Sequence, residues 1–152
     1  MATQLTVGDK APLFTGTDQE GNKVSLSDMK GKKVILYFYP EDDTPACTTQ
    51  ACNLRDNYEL LQQKGYAVMG VSPNEVKSHQ KFTTKYALPF TLIADPQHKI
   101  IDKYGVWGEK NLYGRKYMGL LRTTFVIDEK GIIERIIKRP RTKIHAEEIM
   151  GK

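Results

Sequence analysis

The sequence has few cysteines and no long apolar run. Two of its 152 residues are cysteine, which is too few for a disulfide scaffold. No apolar stretch reaches the roughly 18 to 20 residues of a membrane-spanning helix, and residues 1–6 lack the basic and apolar regions of a secretory signal. We therefore expect a cytoplasmic protein with no membrane partner, in which each cysteine serves packing, metal binding or chemistry.

The composition is that of an ordinary folded protein. Apolar residues make up 39% and charged residues 27% of the chain, so it can bury one sizeable core and we expect a single domain over residues 1–152. The net charge of +5 is spread along the chain apart from a short cluster, Lys138, Arg139, Arg141 and Lys143. Because no nucleic-acid motif accompanies this cluster, we interpret it as a solvated face and expect no nucleic-acid partner.

Strand-forming runs alternate with helical ones along the chain. Runs of β-branched and aromatic residues predict strands at 33–39, 66–72, 91–94, 122–127 and 132–137. Helices are predicted from Thr44 to Lys64, from a capping box at Ser72 onward, around 97–104 and at 145–150, with a Gly-rich loop over 105–119. A β-hairpin over 13–26 is predicted as an N-terminal extension. This order predicts an α/β protein with a thioredoxin-like fold, in which helices flank a central mixed β-sheet.

Cys47 is predicted to lie in the first turn of the long helix. With Thr44 as the N-cap and Pro45 as the first helical residue, Cys47 is the third. Unpaired backbone N–H groups and the helix dipole stabilise an anion at this position, which favours the thiolate over the thiol. The position also follows the carboxyl end of a central strand, where α/β sheets usually have their active sites. We therefore interpret Cys47 as a nucleophile rather than as a core cysteine.

Cys52 follows Cys47 at a spacing that fits neither a C-x-x-C motif nor a zinc site. We therefore expect no metal site, and we interpret His79, His98 and His145 as surface or satisfied side chains. Along a helix, this spacing turns the chain by about 140° beyond a full turn and raises it by about 7.5 Å, whereas a disulfide needs Cα atoms within about 7 Å. The two cysteines can pair only if the first turns of the helix unwind, and Cys52 as an ordinary buried cysteine is the alternative.

The residues around Cys47 resemble a known family. Residues 40–47 fit the P-x-x-x-T-x-x-C signature of peroxiredoxins, and the continuation to Cys52 is similar to the bacterioferritin comigratory protein or peroxiredoxin Q class. The similarity extends over nearly the whole chain, through the stretches 7–12, 105–110, 117–119, 122–128 and 145–148. The match is therefore specific to this class.

The resemblance implies a thiol-dependent peroxidase that reduces hydrogen peroxide and organic hydroperoxides without a cofactor. Cys47 would be the peroxidatic cysteine. Cys52 would resolve it through an intramolecular disulfide, which thioredoxin or glutaredoxin would reduce. In the family, the hydroxyl that matches Thr44 contacts the peroxide, Pro40 shields the site from water, and Arg122 stabilises the thiolate and the developing charge. The resemblance also suggests a monomer.

The predicted strand pairing supports the place of Arg122 in such a site. If the strand that Arg122 opens runs antiparallel to the strand 33–39, its start lies beside the end of the other strand, and the guanidinium can reach Cys47. Gln50 stands where the class commonly has glutamate. We therefore expect no acidic partner for this arginine.

Two other functions are compatible with these residues. A peroxide-sensing redox relay would use the same sulfenic acid chemistry but pass the disulfide to a target protein. A thioredoxin-like binding module without peroxidase turnover would have incidental cysteines of ordinary reactivity. Because a carboxylate near Cys47 would oppose a thiolate, we interpret Asp42 and Asp43 as solvated loop residues.

Overall fold

The computed structural model describes residues 3–151. The strands are β1 (Thr15–Asp18), β2 (Lys23–Ser25), β3 (Lys33–Phe38), β4 (Tyr66–Ser72), β5 (Thr91–Ala94), β6 (Trp107–Leu112), β7 (Arg115–Leu120), β8 (Thr123–Ile127) and β9 (Ile133–Lys138). The α-helices are α1 (Pro45–Asp56), α2 (Tyr58–Gln63), α3 (Val76–Tyr86), α4 (Lys99–Tyr104) and α5 (His145–Met150), and 3₁₀ turns cover Leu26–Met29 and Thr142–Ile144. Within this part of the chain, no helix has the length and apolar character needed to cross a membrane.

A mixed sheet forms the centre of the fold. Its strand order is β2-β1-β5-β4-β3-β8-β9, and β6 pairs with β7 in a separate hairpin. β3 runs parallel to β4 and antiparallel to β8, which places β3 in the interior of the sheet. This position explains the continuous run of apolar and aromatic residues in β3, since both of its faces are covered. The predicted central mixed sheet flanked by helices is confirmed.

Alternate side chains of β3 enter two apolar clusters on opposite faces of the sheet. One cluster contains Leu36 and Phe38 with residues of α4. The other contains Ile35 and Tyr37 with buried residues of α1, α2, α3 and α5. The helix that carries both cysteines therefore packs on the second face, above the carboxyl half of β3.

The predicted N-terminal hairpin is confirmed and belongs to the sheet itself. β1 pairs antiparallel with β2, and on its other side it pairs antiparallel with β5, with Thr17 opposite Ala94. The hairpin is therefore an extension of the sheet edge. In the strand order, β5 and β4 lie between β1 and β3, so the hairpin is far from β3.

Two helix predictions are wrong in their boundaries. The long helix that was expected to run to Lys64 ends at Asp56, and α2 begins after a break at Asn57. The Asn53 carbonyl oxygen is shared at this break, since it accepts from the Asn57 side chain at 2.9 Å and from the Asn57 amide at 3.2 Å. The helix expected from Ser72 begins at Val76 instead, because Ser72 is still paired with β5 as the last residue of β4.

The predicted loop over 105–119 is also wrong, because most of it forms the β6–β7 hairpin. Its turn consists of Tyr113 and Gly114, which both have positive φ (52° and 79°), as the favoured two-residue hairpin turns require. The strand residues are mostly polar and exposed, and Tyr113 is 99% exposed. An apolar alternation that could have identified these strands is therefore absent from the sequence.

Candidate active site

Cys47 lies in the first turn of α1, after the N-cap Thr44 and the helical Pro45. Cys47 is only 1% exposed. It belongs to the same apolar cluster as Tyr37 of β3 and Tyr39, which follows β3. The expectation that this is not a core position is therefore wrong about burial. The thiol is buried because α1 packs directly on the sheet, yet it keeps the unpaired N–H groups of the helix start around it.

Arg122 contacts Cys47 through the sheet register. β8 lies antiparallel to β3 with Thr123 opposite Phe38, so Arg122 lies beside the end of β3. Its Nη2 donates to Cys47 Sγ at 3.3 Å. A guanidinium carries its charge at every accessible pH and has only donors. The contact therefore stabilises a negative charge on the sulfur.

Gln50 holds the other side of the same guanidinium. Arg122 Nη1 donates to Gln50 Oε1 at 2.7 Å, and Gln50 is fully buried. Since arginine can only donate, the oxygen of the amide must face it. The amide has no net charge, so the positive charge of Arg122 is not neutralised by this partner. Gln50 thus takes the place of an acidic partner without adding a carboxylate beside Cys47.

Two buried donors of the site have no hydrogen-bond partner among residues 3–151. They are Gln50 Nε2 and the hydroxyl of Tyr37. Burial, with a smaller contribution from Cys47, raises the pKa of Tyr37 well above its usual 10, so the hydroxyl stays protonated. A buried unpaired donor destabilises a structure by about 1–3 kcal/mol. These atoms therefore weaken the packing of α1 on β3.

Thr44 and Pro40 frame the approach to α1. The Thr44 hydroxyl does not cap the helix and instead donates to the Glu41 carbonyl oxygen at 3.1 Å, while the Thr44 carbonyl oxygen accepts from Thr48 at 2.8 Å. Pro40 follows β3 and is half-buried. Both residues thus lie on the loop that leads from the sheet into the first turn of α1.

Cys52 lies on the same helix as Cys47 but in different surroundings. Both thiols are free, and Cys52 is half-buried whereas Cys47 is buried. The next residue, Asn53, accepts from the Ala146 amide at 2.7 Å and donates to the Lys143 carbonyl oxygen at 3.0 Å. Asn53 also donates to Glu147 Oε1 at 3.1 Å. The later turns of α1 are therefore attached to the C-terminal segment, which consists of the 3₁₀ turn Thr142–Ile144 and α5.

A basic side chain of the β6–β7 hairpin also lies in the electric field of the site. Burial and the positive charge of Arg122 lower the pKa of Lys110, whereas Cys47 has the opposite effect. Lys110 also lies over the Tyr117 ring, with 6.0 Å between its nitrogen and the ring centroid, which is at the limit of about 6 Å for a cation–π contact. Sequence reasoning missed this neighbour because the hairpin was predicted as a loop.

The expectation that Asp42 is a solvated loop residue is wrong. The side chain of Asp42 is 4% exposed and that of His79 is 0% exposed. Asp42 Oδ1 accepts from the Tyr39 hydroxyl at 2.6 Å, and Asp42 Oδ2 accepts from His79 Nδ1 at 2.7 Å and from Ser78 Oγ at 2.7 Å. No local pattern signals this network, because its members come from the loop that follows β3 and from α3.

Asp43 behaves differently from its neighbour. Its carboxylate is partly exposed and accepts from Lys85 Nζ and from the Tyr86 hydroxyl, both at 2.7 Å. These contacts lower the pKa of Asp43, with the Lys85 hydrogen bond as the largest cause. The two aspartates therefore bind to the same helix, α3, one inside the protein and one at its surface.

No group of three or more His, Cys, Asp or Glu side chains within residues 3–151 is arranged to hold a metal ion. The chemistry that the described site offers is that of a buried thiol with cationic and neutral donors around it.

Comparison with known proteins identifies the family. The sequence profile described as the AhpC/TSA family matches residues 7–136. The chain is 41% identical over 147 residues to Peroxiredoxin Bcp of Escherichia coli K12, covering 97% of this chain and 94% of that protein. It is 40% identical over 146 residues to Peroxiredoxin Bcp of Bacillus subtilis 168, covering 96% of this chain and 93% of that protein.

Solved structures agree with the sequence comparison. The structure of a Xylella fastidiosa PrxQ variant superposes with a TM-score of 0.92 at 27% identity, covering 99% of this chain and 96% of that one. A Xanthomonas campestris bacterioferritin comigratory protein superposes with a TM-score of 0.86 at 27% identity, covering 94% and 96% of the two chains. The predicted thioredoxin-like fold is confirmed by these matches, and the chain belongs to the AhpC/TSA family, as a peroxiredoxin of the Bcp type.

Proposed function

We propose that Cys47 of this thiol-dependent peroxidase reduces a hydroperoxide and that Cys52 then closes an intramolecular disulfide with it. The observation that carries the proposal is the contact of Arg122 Nη2 with the buried Cys47 Sγ at 3.3 Å, at the N-terminus of α1. A thiolate is the nucleophilic form of cysteine, and both the guanidinium and the helix start favour it.

In the first step, the Cys47 thiolate attacks one oxygen of the hydroperoxide. A sulfur–oxygen bond forms and the oxygen–oxygen bond breaks, so Cys47 becomes a sulfenic acid and the other oxygen leaves as an alcohol or water after taking up a proton. A lower thiol basicity also weakens the nucleophile, so the acceleration must come from donors that stabilise the transition state. We assign this role to Arg122, Thr44 and the backbone N–H groups, with Pro40 excluding water.

In the second step, the Cys52 thiolate attacks the Cys47 sulfur. The sulfur–sulfur bond forms, the sulfur–oxygen bond breaks, and the sulfenic oxygen leaves as hydroxide, which becomes water when it takes up a proton. The two residues lie on one continuous helix, in which their separation is too large for a disulfide, so the first turns of α1 must unwind. The unpaired Gln50 Nε2 and Tyr37 hydroxyl support this step, because their desolvation cost is relieved when α1 leaves the sheet.

The substrate class and the reductant complete the cycle. The Xanthomonas campestris protein named above is described as having alkyl peroxide reduction activity, which supports organic hydroperoxides beside hydrogen peroxide as substrates here. A small dithiol protein, thioredoxin or in its place glutaredoxin, would reduce the disulfide by thiol exchange. We propose that the chain works as one domain and as a monomer, in the cytoplasm, where such reductants are kept reduced.

The test is peroxide-dependent NADPH consumption in a coupled assay with thioredoxin and thioredoxin reductase. Turnover by the wild type should vanish in Cys47→Ser and fall strongly in Cys52→Ser. Oxidation of Cys47 without turnover would favour the peroxide-sensing relay. Ordinary thiol reactivity without any peroxide reaction would favour the binding module.

A further inference from the structure

We propose that Asp42 and His79 form a buried positioning pair, which fixes the loop carrying Pro40 and Thr44 over Cys47. The inference rests on the proposed function, since it assigns a task in the peroxide step. The side chains of both residues are at least nine-tenths buried. Buried polar side chains of this kind cost free energy unless they are fully bonded, so their position beside the active-site loop requires an explanation.

The carboxylate of Asp42 is bonded on both oxygens and from two directions. Tyr39 donates to Oδ1, while Ser78 and His79 donate to Oδ2, at distances from 2.6 to 2.7 Å. Burial raises the pKa of Tyr39 well above its usual 10, with Tyr37 and Asp42 adding to the shift, so its hydroxyl stays protonated as a donor. These short, charge-assisted bonds are about twice as strong as neutral ones.

His79 completes the pair through both of its ring nitrogens. Its Nδ1 faces the Asp42 carboxylate at 2.7 Å, and its Nε2 faces the Ile93 carbonyl oxygen of β5 at 3.1 Å. Two hydroxyls also face the ring at longer distances, Tyr39 at 3.4 Å from Nδ1 and Ser72 at 3.4 Å from Nε2. The ring thereby joins the loop to β5 through contacts of both of its nitrogens.

The backbone of Asp42 is held in place as well as its side chain. The Asp42 amide donates to Asn74 Oδ1 at 2.9 Å, and Asn74 Oδ1 also accepts from the Ser72 hydroxyl at 2.9 Å. Asp42 lies midway between Pro40 and Thr44 along the chain. When its backbone and side chain are both held, Pro40 and Thr44 on either side of it have little freedom to move.

None of these partners belongs to α1. They lie directly after β3, in the turn after β4, at the start of α3 and in β5. When the first turns of α1 unwind for disulfide formation, the loop therefore stays attached to the sheet and to α3. After reduction, Cys47 returns to a site in which Pro40 and Thr44 are already in place.

The chain offers a matched control in the next residue. Asp43 also binds α3, but at the surface, and exposed ion pairs contribute little. Its φ of 60° is left-handed, a conformation that asparagine tolerates well. Asp43→Asn therefore removes one negative charge at the surface of this loop without straining the backbone. Asp42→Asn removes one negative charge from the same loop at the buried site.

The experiment compares two reactions of Cys47 in full-length Cys52→Ser protein. One is the second-order rate of oxidation by hydrogen peroxide, and the other is the rate of alkylation by iodoacetamide, each followed by mass spectrometry after quenching. Alkylation depends on the thiolate but does not need a peroxide held by Thr44. We expect Asp42→Asn to slow oxidation about 10-fold or more while alkylation changes less than about two-fold, because small misplacements of a positioning group cost this much.

Asp43→Asn should change both rates by less than about two-fold. Equal losses of oxidation rate in the two variants, or a parallel loss of oxidation and alkylation in Asp42→Asn, would overturn the proposal. If Asp42→Asn does not fold, Ser78→Ala, which removes a single donor, should slow oxidation alone by about three-fold, and an unchanged oxidation rate would again overturn it. A parent protein whose Cys47 is not oxidised would refute the proposed function instead, before any variant is compared.

Discussion

The two ends of α1 are held in different ways. Over its first two turns, Cys47 and Gln50 are buried and share the guanidinium of Arg122. At its later turns, Asn53 binds the backbone and a side chain of the C-terminal segment. The first set of contacts acts on a charge at the reacting sulfur, whereas the second set only docks one element on another. Chemistry and helix docking should therefore respond to different substitutions along the same helix.

The largest expected effect is that of Arg122→Met. It should lower the second-order rate of Cys47 oxidation by peroxide about 100-fold or more, because it removes a charged donor aimed at the reacting atoms. The measurement is rapid-mixing kinetics with hydrogen peroxide under single-turnover conditions. Arg115→Met on the exposed part of the hairpin is the matched control, and it should change this rate less than two-fold. Similar losses in the two variants would show that net charge, and not position, matters.

Asn53→Ala should have the opposite profile. It removes three hydrogen bonds between α1 and the C-terminal segment, so we expect the free energy of unfolding to fall by about 2 kcal/mol. The peroxide rate of the folded protein should stay within about two-fold of the wild-type rate. Urea unfolding of the reduced protein gives the first quantity, and Asn111→Ala on the exposed hairpin is the control. A lower peroxide rate at unchanged stability would contradict the division of roles along α1.

Gln50→Met tests whether the neutral partner of Arg122 matters. The variant removes the acceptor at 2.7 Å from Nη1 and also the unpaired, buried Nε2. We expect the peroxide rate to fall about 10-fold, since a hydrogen bond to a charged group is worth about 1.5 kcal/mol or more. Stability should not fall, because a buried orphan donor disappears. An unchanged rate, measured as for Arg122→Met, would mean that the sheet alone positions the guanidinium.

Much of the fold and the main contact of the site follow from the sequence. The apolar runs at β3, β4 and β5 identified the core strands, because buried strands leave a continuous signal. The family resemblance named Arg122, and the conditional antiparallel pairing of β8 with β3 explained how it could reach Cys47. Helix capping at Thr44 and Pro45 placed the thiol in a first turn. These inferences depend on local propensity and on a single strand pairing.

The features that the sequence did not reveal depend on contacts between distant segments. Asp42 lies in a polar loop and would be solvated there without His79, which is far along the chain. The break at Asn57 requires knowledge that its side chain bonds the preceding turn. The β6–β7 hairpin has few buried side chains, so its strands lack an apolar period. In each case a tertiary contact overrides a weak local preference.

The two buried histidines give a final contrast. His79 lies between the Asp42 carboxylate and the Ile93 carbonyl oxygen, whereas His145 lies between the Glu148 carboxylate at 3.0 Å and the Thr124 hydroxyl at 2.9 Å, which can donate. A neutral His145 therefore satisfies both contacts. Burial lowers the pKa of His145, opposed by Glu148, with Arg122 and Arg135 adding to the decrease.

The expected consequence of the His145 shift is a loss of stability in mild acid. Below about pH 6.5, the ordinary histidine value, the unfolded chain binds a proton at this residue that the folded chain does not. The free energy of unfolding should therefore fall as the pH drops through about 6.5 toward the lowered folded pKa. Urea unfolding at pH 7.5 and 5.5 should show that the wild type loses about 1 kcal/mol more than His145→Gln, whose amide does not titrate. Equal losses in the two proteins would contradict this prediction. They would mean that His145 takes up a proton as easily in the folded protein as in the unfolded chain.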